Sequence, residues 1–178
     1  MKISPQIWLY RGLFLSLGLL TIAFPLLPLQ FTPERFSAPD LLYALTVAWM
    51  VRQPETAPFA LVAGLALLSD AVLMRPVGLW AMLLLGASEV VRFSYNAVQE
   101  RGVMMEIALA AGLFIAMVII QNFLLWLSFS QSLDFASMLQ FAMLTLLCYP
   151  VMVAFLHYIL RVRKPDHSNR PDRLGKIK

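Results

Sequence analysis

The chain has 178 residues, of which 60% are hydrophobic and 13% charged, and a formal net charge of +4. A soluble domain of this size carries about a quarter charged residues, so the composition places the chain in a bilayer and leaves little over for a soluble domain. The single cysteine, Cys148, excludes an intramolecular disulfide and a cysteine-rich metal site.

A membrane-crossing helix needs roughly 20 apolar residues. Residues 7–27 form the first predicted span, closed by Pro25 and Pro28. It is too long for a signal-peptide core and has no small-residue cleavage site, so it is read as retained. Residues 41–51 form the second and weakest, short and bounded by Pro39 and Pro54. Residues 57–74 form the third, stopped by Arg75-Pro76, and residues 77–91 the fourth. Residues 103–129 form the fifth and longest, and residues 137–160 the sixth, with Pro150 inside it. All are expected to be helices, because a helix satisfies its own backbone in lipid and no segment shows the alternation of a transmembrane strand. The expected fold is therefore all-α: a polytopic membrane protein with six transmembrane helices in one bundle over residues 1–160. The remainder, residues 161–178, is polar and basic, with Pro165, Asn169, Pro171 and Gly175. It is expected to be a disordered cytoplasmic tail that anchors the topology and whose cations suit anionic headgroups.

Basic residues orient such a bundle. With six spans and the N-terminus inside, the cytoplasmic side holds Lys2, Arg11, Arg52, Arg92, Arg101 and seven tail residues, against Arg35 and Arg75 outside, a count of twelve to two. If the second segment does not cross, the best five-span orientation puts the N-terminus outside, a count of eleven to three. Six spans are preferred, since Lys2 and Arg11 hold the start of the first helix inside; the C-terminus is cytoplasmic either way.

Ionised residues inside apolar segments are costly and draw attention. Asp70 lies about one turn inside the outer end of the third span, with Arg75 at the boundary, where its side chain can reach back to Asp70 or snorkel to the headgroups; a neutralised pair that pins a helical hairpin is preferred over a partner or ligand contact. Pro76 stops one helix and Gly78 allows the tight reversal into the next. Glu89 and Arg92, spaced i, i+3, share one side of the fourth helix at the other membrane face. Arg11 lies at similar depth, so Glu89 has two candidate partners, and a Glu89–Arg11 contact would tie the first helix to the hairpin. The four charges of residues 67–92 thus read as clamps at both ends of a hairpin rather than as a proton path. Gln121 and Asn122, in the outer half of the fifth helix, have the chemistry to hydrogen-bond to a neighbour, but plain interhelical packing is the favoured reading. Ala108, Gly112 and Ala116, and Ala60 and Gly64, recur at the four-residue spacing that permits close helix contact. Trp8, Tyr10 and Trp126 sit near span ends, as an aromatic belt requires.

Catalytic chemistry finds little to use. The only histidines are His157 and His167, and neither belongs to a zinc-binding pair. No nucleophile elbow, phosphate loop or dinucleotide fingerprint occurs, and Asp70 and Glu89 belong to opposite faces. No catalytic, cofactor-binding or metal-ligating residue is assigned, and nothing suggests nucleic-acid binding.

The stretch from Asp70 to Arg92 resembles the rod shape-determining protein MreD family. The features are the acid near the end of the third span (Asp70), the Gly-containing turn and the aromatic after it (Arg75-Pro76-Val77-Gly78-Leu79-Trp80), "EVVR" at Glu89–Arg92, and an aromatic followed by proline (Tyr149-Pro150) in the last helix. Arg75 stands where a small residue is commoner, so no family role is carried over to it. The resemblance implies a non-enzymatic subunit of the bacterial inner membrane, working beside a bitopic MreC-like protein, actin-like MreB filaments and the peptidoglycan synthases of the cell-wall elongation machinery. It also implies similarity to the six-helix S-component fold of energy-coupling-factor transporters. Two function classes follow: a scaffold that binds partner transmembrane helices through the lipid bilayer, or a small-molecule-binding S-component-like subunit of a transporter. A transporter calls for several polar side chains in one pocket, and only Asp70, Gln121 and Asn122 offer themselves.

Overall fold

The computed structural model describes residues 5–26, 38–128 and 135–158. The tail and the loop carrying Glu34 and Arg35 lie outside the described residues. Regular structure within them is entirely helical: α1 (Pro5–Ala23, extended by a 3-10 turn at Phe24–Leu26), α2 (Leu41–Met50), α3 (Phe59–Val72), α4 (Leu79–Phe93), α5 (Tyr95–Leu127) and α6 (Phe135–Tyr158). Three stretches, Ile7–Leu26, Tyr95–Leu127 and Ala136–Tyr158, are long and apolar enough to cross a membrane. The molecule is built as an α-helical membrane protein.

The middle helices are shorter. α2, α3 and α4 have 10, 14 and 15 residues. At about 1.5 Å per residue they rise about 15, 21 and 22 Å, against a hydrocarbon core of roughly 30 Å. The weakness of the second segment has a physical reason. α2 is apolar all round and nine of its ten residues are buried, from Leu42 to Met50. It packs against α1, α4, α5 and α6 and forms the axis of the core. A helix enclosed by protein on every side does not need the length of one that faces lipid.

Aromatic packing fixes the neighbours of this axis. Phe14 of α1 meets Trp49 at a centroid distance of 5.3 Å. Tyr43 meets Phe114 of α5 at 4.7 Å, and Phe114 meets Phe141 of α6 at 5.4 Å. Trp8 and Trp126 are exposed, but Tyr10 turns inward to Trp49 at 6.5 Å, so it is not part of an outward belt. Close helix approach occurs at Gly18, where an added Cβ would lie 2.5 Å from Leu65 Cδ1 of α3. The small-residue rows read from the sequence do not do this. Ala60 and Gly64 on α3, and Ala108, Gly112 and Ala116 on α5, all face outward, and none of the described residues would meet a Cβ added at Gly64 or Gly112.

Two backbone devices shape the connections. α3 ends with Met74 in the left-handed region (φ 52°), which lets the Arg75 amide donate to the Asp70 carbonyl at 3.0 Å. Two residues after Pro76, Gly78 takes φ 93° at the start of α4. The fifth helix starts earlier than its apolar run suggests. It begins at Tyr95 and breaks at Gly102 (φ 78°, ψ −160°), next to the Val103 start read from hydropathy.

Met74 is 95% exposed and so contributes little packing, while a β-carbon in the left-handed region costs roughly 1–2 kcal/mol. Met74→Gly is expected to raise thermal stability in detergent by about 1 kcal/mol, less the flexibility that glycine adds to the unfolded chain. A lowered melting temperature would mean that the turn is held by something other than this backbone geometry.

Candidate functional site

Asp70 is fully buried at the end of α3. Its Oδ2 accepts from the amides of Gly78 (2.9 Å) and Ala81 (3.1 Å), both at the start of α4. The first amides of a helix have no partner within the helix, and its positive end favours a carboxylate. Asp70 therefore caps α4 from the neighbouring helix. It pins the hairpin, as the sequence suggests, but not through Arg75. The Arg75 Nη1 donates instead to Asp40 Oδ2 at 3.2 Å. Asp40 is mostly buried; its Oδ1 accepts from the Tyr43 amide (2.9 Å), which caps α2, and its own amide donates to Thr145 Oγ1 (3.0 Å) on α6. The Arg75 guanidinium also lies over the Trp80 ring (5.4 Å) and near Phe141 (6.0 Å). The stretch containing Pro76, Gly78 and Trp80 is thus a turn that sends Arg75 across to α2 while Asp70 holds the turn itself. A cleft of about 390 Å³ beside it is lined by Asp40, Ser69, Arg75 and Gln121. The other half of that pair, Asn122, lies 3.8 Å from Met138 Sδ on α6.

The opposite end of the bundle holds a second cluster, and sequence reading missed its centre. Arg52, just past α2, donates through Nη1 to Glu106 Oε1 (2.8 Å) on α5 and to the Ala48 carbonyl (2.6 Å). The Tyr149 hydroxyl on α6 donates to the same Glu106 oxygen at 3.1 Å. The side chains of Arg52 and Glu106 are 4% and 0% exposed, so this pair is enclosed and joins α2, α5 and α6. Glu106 is the one ionisable residue in the predicted fifth span, a signal available in the sequence. Pro150 follows Tyr149 inside α6.

Glu89 and Arg92 do meet, at 3.4 Å, but their side chains are 34% and 35% exposed. Arg92 also donates to the Ala57 carbonyl at 3.1 Å, tying α4 to the start of α3. Arg11 is not a partner of Glu89. Its guanidinium lies 5.5 Å from the Trp8 ring centre, and its Nε is buried without a hydrogen bond among the described residues. α1 is joined to its neighbours by Phe14 and Gly18, through packing rather than charge. Among the described residues no three His, Cys, Asp or Glu side chains gather in a form suited to a metal.

These contacts rank the charges by what their removal costs. Breaking an enclosed ion pair costs about 3–5 kcal/mol, whereas a solvated i, i+3 pair contributes about 0–1 kcal/mol. Glu106→Ala is expected to lower the melting temperature in detergent far more than Glu89→Gln; equal losses would contradict the enclosure of Glu106. In double-mutant cycles, Asp40→Asn and Arg75→Gln are expected to couple by about 1 kcal/mol, while Asp70→Asn and Arg75→Gln add. Coupling of Arg75 to Asp70 rather than Asp40 would reverse the assignment.

Compared with protein-family models, curated proteins and solved structures, the chain shows no match.

Proposed function

We propose that the chain is a non-enzymatic scaffold subunit of the bacterial cell-wall elongation machinery, of the MreD kind, that binds transmembrane helices of partner proteins. The observation that carries this reading is the use made of the residues behind the resemblance. Asp70, Gly78 and Arg75 are engaged in setting one helical hairpin against α2, and Trp80 packs under the Arg75 guanidinium. Such residues give a rigid body rather than a reacting centre. Outside that body, the faces of α3, α4 and α5 present apolar and small side chains, among them Gly64, Gly86 and Gly112, where none of the described residues would meet an added Cβ. Faces of that shape suit helices of a bitopic MreC-like protein and of cell-wall synthases.

In this reading the protein resides in the inner membrane with both termini cytoplasmic, and the Arg52–Glu106 end faces the cytoplasm, in accord with the twelve-to-two charge count. The second reading, a small-molecule-binding subunit resembling an S-component, draws support from the cleft beside Asp40, Ser69, Arg75 and Gln121. Its polar groups are few, and the two charged ones are paired to each other.

Purification of the full chain in mild detergent is expected to recover a bitopic membrane protein, and deletion of the gene to round the cells. Gly112→Leu and Gly86→Leu are expected to keep the unfolding free energy within about 0.5 kcal/mol of wild type, and at least one is expected to weaken that recovery. Side-specific reporters at residue 1 and after Lys178 should both report the cytoplasm. Normal cell shape after deletion, with no membrane protein recovered, would overturn the scaffold reading; an outside N-terminus would overturn the orientation.

A further inference from the structure

Near the Arg52–Glu106 pair, α5 and α6 part to leave a cleft of about 870 Å³. Its walls contain both helix irregularities of the long helices. Gly102 breaks α5 with a backbone that no L side chain adopts readily, and an added Cβ there would meet none of the described residues, so packing among them does not explain the glycine. Pro150 interrupts the hydrogen bonding of α6. At membrane depth, irregular backbone is tolerated where it is covered by protein or lines a cavity. Here both irregularities line the same one.

The chemistry of the lining is divided. Arg52 reaches it with a side chain 4% exposed. Only Nη1 of that guanidinium is engaged, by Glu106 and Ala48; Nε and Nη2 make no hydrogen bond with the described residues. Arginine keeps its charge in any protein environment, and its free edge matches two oxygens of a phosphate. Gln99 and His157 add polar groups to the lining. Beyond them the wall is hydrocarbon, from Ile107 of α5 and Val153 and Ala154 of α6. A charged edge beside an apolar wall, at the end of a membrane bundle, fits a phosphate carried on a long apolar chain. The residues that follow α6 in sequence include Arg161, Arg163 and Lys164. Those cations are not a complementary occupant for a guanidinium, and because Glu106 already balances the Arg52 charge the cleft offers a phosphate the donors of that free edge rather than an unpaired cation. We infer that the cleft between α5 and α6 binds the phosphate group of an anionic lipid, with Arg52 as its principal donor and the α5–α6 wall holding the hydrocarbon.

The test uses the full chain in neutral detergent, read by native mass spectrometry and by thermal melting with added ligand. The probes are dioleoyl phosphatidylglycerol, hexadecyl phosphate, dioleoylglycerol and inorganic phosphate. At least one of the two phosphate lipids is expected to remain bound and raise the melting temperature, and the stronger of them tells a phosphodiester headgroup from a phosphate monoester. Dioleoylglycerol and inorganic phosphate are expected to do neither. Val153→Trp, which fills the cleft without altering charge, and Arg52→Lys, which removes the planar fork, should each weaken binding at least tenfold, every variant being compared with its own lipid-free melt. If Arg52→Lys fails to fold, Val153→Trp and His157→Leu decide the matter. Equal retention of dioleoylglycerol, stabilisation by inorganic phosphate alone, or unchanged lipid binding by Val153→Trp would overturn the inference.

Discussion

A helix enclosed on every side brings its two ends into the interior, and with them several backbone amides and carbonyls that water cannot reach. α2 is in that position, and much of the structure can be read as the answer to it. Asp40 sits at its amino end, where a carboxylate satisfies the Tyr43 amide and opposes the positive pole of the helix. Arg52 sits just past its carboxyl end, where it donates to the Ala48 carbonyl and opposes the negative pole. Neither charge is left to stand alone. Arg75 comes from the α3–α4 turn to Asp40, and Glu106 from α5 to Arg52.

The same polarity recurs on α4. Asp70 supplies the acid at its start, from another helix, and Arg92 the base in its last turn. Each terminal charge therefore serves a helix end and also joins separate elements. Asp40 meets α6 and the hairpin turn, Glu106 joins α5 to α2 and α6, and Arg92 reaches Ala57, two residues before α3. Charged groups here determine which helices are neighbours, and the aromatic cluster of Tyr43, Trp80, Phe114 and Phe141 fills the space between them.

What the sequence made legible was local. Runs of apolar residues mark all six helices, and Pro76 with Gly78 marks the reversal, because length, hydropathy and turn chemistry belong to short stretches of chain. Pairings were not legible in the same way. Arg75 has Asp70 five residues before it and Asp40 thirty-five before it, and proximity in sequence favoured the partner that the fold does not use. Asp70 is instead occupied by amides, which no side-chain pattern reveals. Arg52, between two predicted spans, reads as a loop cation until Glu106 is placed opposite it. The small-residue rows show a second limit: spacing defines a helix face, but does not say whether the face turns to a neighbour in the chain or away from all of them.

Depth explains why the terminal charges must be paired so closely. Asp40 and Arg52 are twelve residues apart along one helical axis, about 18 Å. Were that axis centred in a hydrocarbon layer of roughly 30 Å, both would lie some way inside its boundaries. A charge there costs much if solitary, and its long side chain cannot always reach the headgroups. Arg52 and Arg75 suit the position because a guanidinium stays charged and can serve several acceptors at once, where an ammonium offers a point charge that burial can neutralise. The short α2 thus sets the spacing of its own clamps, and the clamps fix where the turn after α3 and the start of α5 must lie. The ion pair between Glu89 and Arg92 is partly exposed and lies within one helix, so what joins α4 to its neighbours there is the Arg92 bond to the Ala57 carbonyl and not the pair most visible in the sequence.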